Sequence, residues 1–312
     1  MRIVFWGSGK FGIPSLKLLK QAGYPIALVV TTPAKPGGRG KKLTPTPIAI
    51  TAEELNITIL APANPNDTEF ISRFQQYLPQ CGVLVDYGYI LSESVLKIPE
   101  HGFINLHPSL LPLYRGAAPI PRQLMDGCTE TGVTVFQINS AVDSGDILNQ
   151  ITVPVQPDET AGELSERLAK IGAQLLLKTV QQIESGTVNP QPQNQCFATR
   201  APKITKNDRQ INWQKPARDI HNQIRALSPL PGAFTTFRGR QIIVLRSKLI
   251  NNATDAQPGS IITTLPKLVV ATGDGLIELL LLKPAGGKVI SGIDFRNGYH
   301  PSNQDLLGTS DE

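Results

Sequence analysis

The chain has 312 residues, of which 40% are hydrophobic and 18% charged, with a formal net charge of +5. That length accommodates two domains and a sizeable core. The three cysteines, Cys81, Cys128 and Cys196, lack metal-ligand spacing, and their odd count does not make a disulfide framework, which points to a reduced, cytoplasmic setting. The N-terminus enters a strand without signal-peptide architecture, and no apolar run approaches the roughly 20 residues of a membrane helix.

Strands are predicted at 2–6, 26–31, 57–60, 83–87 and 103–107, alternating with helices at 11–21, 48–55 and 67–77. Residues 133–138 and 148–155 are expected to add antiparallel strands. This alternation implies an α/β fold with a doubly wound, mostly parallel sheet, whose ligands bind outside the carboxyl ends of the strands. Thr160-Ala161-Gly162-Glu163 reads as a capping box opening a long amphipathic helix that Gly186 closes. The polar, proline-rich stretch 189–195 reads as a linker. Beyond it come a helix at 216–227 and strands at 233–238, 241–249, 259–265, 267–272 and 275–282, a small β domain compatible with a barrel. The expected division is a catalytic domain over 1–187, a linker over 188–207 and a second domain over 208–312.

The most informative run is Asn105-Leu106-His107-Pro108-Ser109-Leu110-Leu111-Pro112, followed later by Val142-Asp143-Ser144-Gly145-Asp146. Two residues apart on a strand, Asn105 and His107 share a face. A carboxamide there can hold an oxyanion, an imidazole can carry a proton near neutrality, and Asp143 can orient it. With no Ser or Cys nucleophile attached, this set suits direct acyl transfer between two amines. Asp143 and Asp146 alone make a poor metal site, so no metal is expected. Gly7-Ser8-Gly9-Lys10-Phe11-Gly12 matches a dinucleotide fingerprint, yet the second strand ends Val30-Thr31-Thr32 without the acid that an NAD ribose requires. A tight turn in which Gly permits positive φ and close packing is the preferred reading, with no NAD(P).

Asn-x-His-x-Ser-Leu-Leu-Pro-x-x-Arg-Gly at 105–116, with Asp143 38 residues after Asn105, resembles the folate-dependent formyltransferase family. Lys203-Ile204-x-Lys206, Ile211-Asn212-Trp213 and Arg225-Ala226 extend the likeness to the branch acting on initiator methionyl-tRNA, covering the chain to about Gly298. The resemblance implies a Rossmann-like catalytic domain and an OB-like C-terminal β-barrel, 10-formyltetrahydrofolate as formyl donor, and initiator Met-tRNA as partner of a monomeric enzyme. It implies catalytic roles for Asn105, His107 and Asp143. It implies folate contacts at Ser109, Leu110, Leu111, Pro112, Tyr87 and Gly88. Contacts to tRNA fall to Arg39, Lys41 and Lys42 in a basic loop, and to Lys203 and Lys206 in a second basic region, 200–248. The chain departs from the family with Ser8-Gly9 for Thr-Pro, Asp86 for Ala and Ser92 for Pro. Other readings are formyl transfer to an amino sugar or nucleotide amine, and a non-catalytic RNA-binding relative.

Overall fold

The apolar run Ile3–Gly7 forms strand β1, buried along its whole length, as a strand covered on both faces requires. In the computed structural model, which describes residues 1–37, 42–250, 252–302 and 304–308, a 3₁₀ turn at Lys10–Gly12 leads into helix α1 (Ile13–Gln21). Next come β2 (Ile26–Val30), a hairpin of β3 (Lys35–Gly37) and β4 (Lys42–Thr44), α2 (Pro47–Glu54) and β5 (Ile59–Leu60). They are followed by α3 (Thr68–Gln75), β6 (Cys81–Val85), α4 (Glu93–Leu96) and β7 (Phe103–His107). Helix α5 (Pro119–Met125), β8 (Glu130–Gln137), β9 (Ile147–Pro154), α6 (Ala161–Glu184) and α7 (Lys206–Arg209) continue the chain. The remainder is α8 (Ala217–Leu227), β10 (Ala233–Phe237), β11 (Arg240–Ile250), β12 (Val269–Ala271), β13 (Leu276–Pro284), β14 (Ile290–Ser291) and α9 (Gly292–Tyr299). Contacts divide the chain into two units. The first holds Met1–Gly116, Glu130–Pro154 and Ser165–Arg200; the second holds Ala117–Thr129, Val155–Leu164 and Ala201–Glu312.

The first unit is built on one sheet of order β5-β2-β1-β6-β7-β8-β9. The first five strands in this order are parallel, and β8 and β9 add antiparallel. This is the expected doubly wound arrangement. From β1 the strand order runs outward both ways, through β2 and through β6, so the β1–β6 boundary is a topological switch point, where ligand crevices form. One face is packed by aromatics. Trp6 is fully buried and meets Phe70, Phe74, Tyr87 and Phe103 edge-on at centroid distances of 5.3–5.7 Å, contacts worth about 0.5–1.5 kcal/mol each beyond area burial. Helix α2 starts where the sequence dictates. Thr46 accepts the Ala49 N–H through its hydroxyl, and Pro47 supplies a preset φ.

The first glycine of the fingerprint serves close packing. A Cβ on Gly7 would lie 2.7 Å from the Val85 carbonyl of β6. Gly9 and Gly12 have φ of −84° and −79°, so the positive φ expected for this turn is not used. Hydroxyls pin it instead. Ser8 Oγ accepts the Thr32 N–H at 3.1 Å and lies 3.3 Å from Thr31 Oγ1, itself 2.6 Å from Thr46 Oγ1.

In the second unit an antiparallel sheet of order β10-β11-β13-β12, with β14 on β13, curls into a half-barrel. Its core includes Trp213, Ile220, Ile224, Val244, Ile277 and Phe295. The strand expected at 259–265 is replaced by two isolated bridges, Ser260–Leu306 and Ile261–Val270. Gly259 takes φ +93°, and the Ser260 N–H turns back to the Gln257 carbonyl, which ends regular pairing there. The capping box at Thr160 is present, with the Glu163 N–H on Thr160 Oγ1 at 3.3 Å and the Thr160 N–H on Glu163 Oε2 at 2.9 Å. Among the described residues, no helix is long and apolar enough to cross a membrane.

Candidate active site

Strand β7 lies between β6 and β8 in the first unit, with Asn105 opposite Leu84 and Phe136. Pro108 cannot continue the ladder, and the chain folds back so that the Ser109 N–H reaches the His107 carbonyl at 3.0 Å. Asn105 and His107 therefore stand on one face at the carboxyl end of the strand. The Asn105 carboxamide makes no hydrogen bond among the described residues. His107 is only 5% exposed. Its Nε2–H donates to the Tyr114 carbonyl at 2.9 Å, which turns Nδ1 toward Asp143 Oδ2 at 3.7 Å. Burial holds the His107 pKa below the ordinary imidazole value, opposed by the Asp143 carboxylate and the Tyr114 carbonyl.

Asp143 is held from several sides. Its Oδ2 accepts the Gly116 N–H at 2.8 Å. Its φ is +50°, a conformation that Asp tolerates better than most residues. Gln193 Nε2 donates to the carbonyls of Asp143 and Gly145 at 3.0 and 2.7 Å, while its Oε1 receives the Arg115 guanidinium. Gln193 lies in the stretch that reads as a linker. There Gln191 also bridges Ile147, so these residues brace the Asp143 loop of the first unit. Sequence reasoning missed Gln193, because a lone Gln in a Pro-rich segment carries no spacing signal.

The loop after His107 is internally tied. Ser109 is fully buried, and its hydroxyl donates to the Leu113 carbonyl at 2.6 Å. Thr134 Oγ1 donates to the Ser109 carbonyl at 2.7 Å, and the Leu111 N–H reaches Thr134 Oγ1 at 3.2 Å. Gln150 Nε2 donates to the Leu111 carbonyl and to Thr134 Oγ1, and the Leu110 and Pro112 carbonyls accept from Leu113 and Thr199. Much of the backbone expected to meet a pterin thus serves the loop itself. Tyr87 and Gly88 follow β6 at the same edge of the sheet. The Tyr87 ring packs on Trp6, its hydroxyl is buried without a partner, and burial pushes its pKa up.

Arg39 and Lys41 lie outside the described residues, and Lys42 begins β4. In the second unit, Lys203 and Lys206 are exposed, and their ammonium groups have no partner among the described residues. Several other cations of the basic region are structural. Arg209 donates to the carbonyls of Pro231 and Gly232, Arg225 is buried against Asn222, Arg238 pairs with Asp305, and Arg246 pairs with Glu163. The free positive surface is accordingly smaller than the residue count suggests. Among the described residues, no group of three or more His, Cys, Asp or Glu could hold a metal ion.

An open α/β sheet with Asn, His and Asp gathered at its carboxyl edge, followed by a β-rich second unit, defines a formyl transferase. The family model described as "Formyl transferase" matches residues 1–180, and the model of its C-terminal domain matches residues 203–300. A methionyl-tRNA formyltransferase from Syntrophomonas wolfei is 41% identical over 315 residues, with all of both chains covered. One from Solibacter usitatus is 39% identical over 308 residues, covering 99% of each. The chain belongs to the methionyl-tRNA formyltransferase family. Among solved structures, an N-formyltransferase from Helicobacter canadensis, determined with folinic acid and dTDP-3-aminofucose, shares the fold. Its TM-score is 0.69 at 19% identity, over 89% of this chain and 98% of that one.

Proposed function

We propose that this chain transfers the formyl group of 10-formyltetrahydrofolate to the amino group of initiator methionyl-tRNA, working as a cytoplasmic monomer without metal or NAD(P). The observation that carries the reading is an unpartnered Asn105 carboxamide two residues from a buried imidazole that faces Asp143. In this reading the amine attacks the formyl carbon and the C–N bond forms as the carbonyl π pair moves onto oxygen. Asn105 donates to that oxyanion. The proton lost by the attacking nitrogen passes through His107 to N10 of the donor, and the C–N10 bond breaks to release tetrahydrofolate. Developing negative charge favours an imidazolium that burial disfavours, and Asp143 stabilises it.

The division of labour belongs to the same reading. Residues 1–187 carry the chemistry, 188–207 connect, and 208–312 hold tRNA. Ser109, Leu110, Leu111, Pro112, Tyr87 and Gly88 shape the folate pocket. Arg39, Lys41, Lys42, Lys203 and Lys206 contact tRNA phosphates, and backbone-led contacts of this kind are salt-sensitive. The test is formyl transfer from 10-formyltetrahydrofolate to charged and uncharged initiator tRNA. Formyl-Met-tRNA in the charged sample alone is expected. Formylation of an amino sugar, with none of the charged tRNA, would establish the rival reading.

A further inference from the structure

We infer that Asp86 is the residue that receives the acceptor's amino group, an anionic hook at the switch point of the sheet set in place by Gly9. The inference rests on the formyl-transfer reading above. Strands β1 and β6 are neighbours from which the strand order runs in opposite directions, so the crevice between their carboxyl ends is where a ligand is expected. Gly7-Ser8-Gly9 leaves β1 and Asp86 leaves β6 at that crevice. The two ends are tied, because the Ser8 and Gly9 N–H groups donate to the Asp86 carbonyl at 3.0 and 3.4 Å. Asp86 takes φ +53°, and its carboxyl lies over Gly9, where a Cβ would overlap Oδ2. A glycine at position 9 is therefore what lets the carboxyl occupy this place.

The carboxyl is uncommitted. Among the described residues it accepts no hydrogen bond and makes no ion pair. The residue keeps solvent exposure, yet the surrounding turn still raises the carboxyl's pKa by burial. Asp86 is also level with the chemistry. Leu84 of β6 pairs with Asn105 of β7, and Asp86 and His107 each stand two residues beyond that pair.

The chemistry offers a role that Asp86, unlike the Ala usual in the family at this position, can fill. A peptide α-amino group has a pKa of about 8, and although the ester of an aminoacyl-tRNA lowers it, a sizeable fraction still arrives as an ammonium near neutral pH. Asn105 is assigned to the oxyanion, and Asp143 is engaged by Gly116 and His107. Asp86 offers the ammonium an anionic acceptor. It can also take a proton from it, the N–H bond breaking with its electron pair left on nitrogen, so that a neutral amine attacks. A carboxyl whose pKa burial has raised is better suited to hold that proton.

The test compares dissociation constants for initiator Met-tRNA and for the same tRNA uncharged, in the wild type, Asp86→Asn and Gly9→Ala. Only the charged species carries the ammonium. Wild type should favour it by about fivefold or more, the scale of a charge-assisted hydrogen bond. Asp86→Asn, isosteric and equally tolerant of positive φ, should cut the preference below about twofold while leaving uncharged tRNA binding unchanged. Gly9→Ala, which displaces the carboxyl without removing it, should act in the same direction. An equal preference in all three proteins overturns the inference. So does a loss of tetrahydrofolate binding in Asp86→Asn with the preference intact, which would put the carboxyl on the pteridine. Failure of the wild type to formylate Met-tRNA would instead remove the reading beneath it.

Discussion

Asn105 and Asp143 are opposites in how they are held, and the difference separates their expected mutant behaviour. Asn105 has no hydrogen-bond partner among the described residues, so Asn105→Ala should leave the melting temperature unmoved. It should lower kcat about 100–1,000-fold, the usual cost of one oxyanion donor, with KM for both substrates within a few-fold in steady-state assays. Asp143 raises the His107 pKa against a burial that lowers it. Asp143→Asn can keep the Gly116 contact but removes that charge. The His107 pKa should then fall further, moving the acid limb of the kcat/KM profile to lower pH and slowing transfer at pH 7. An acid limb unmoved or shifted upward would show that the His107–Asp143 pair does not govern the titration.

At the scale of elements, the parallel strands and their helices were legible because apolar runs bounded by Gly and Pro leave little choice of structure. The Asn105–His107 juxtaposition was legible for the same reason, since strand periodicity alone puts both on one face. The brace around Asp143 was not. Gln193 reaches it across 50 residues of sequence, and no local pattern announces such a contact. Helix α9 was missed although Ser291 and Asp294 form a capping box, because Gly292 and Gly298 weaken the helical signal. The sequence of the second unit also hides its main polar clasp. Arg122 of α5 grips both oxygens of Asp208 at 2.8 Å and holds its pKa well below the ordinary carboxylate range, with Thr205 assisting. A depressed carboxylate pKa stabilises the fold at pH values above the ordinary value near 4 and ceases to do so as pH falls toward the native pKa. Asp208→Ala should therefore cost about 1.5–3 kcal/mol near neutrality, read by urea unfolding, with the deficit shrinking in acid.

For the whole molecule, the net charge of +5 matters less than where free cations lie. Arg209, Arg225, Arg238 and Arg246 are spent on internal bonds, while Lys203 and Lys206 are not. Replacing both lysines by Ala should weaken tRNA binding and reduce the slope of log K against log salt by roughly one to two, leaving tetrahydrofolate binding unchanged. A slope unaltered by the double substitution would remove both residues from the tRNA contact. Whether Asn105, His107 and Asp143 together perform formyl transfer to an amine is decided by single-turnover transfer from saturating 10-formyltetrahydrofolate to charged initiator Met-tRNA, comparing wild type with His107→Ala. Rapid formation of formyl-Met-tRNA by the wild type is expected, with a loss of at least about 100-fold in the variant and the fold retained. Transfer by His107→Ala at the wild-type rate would contradict it.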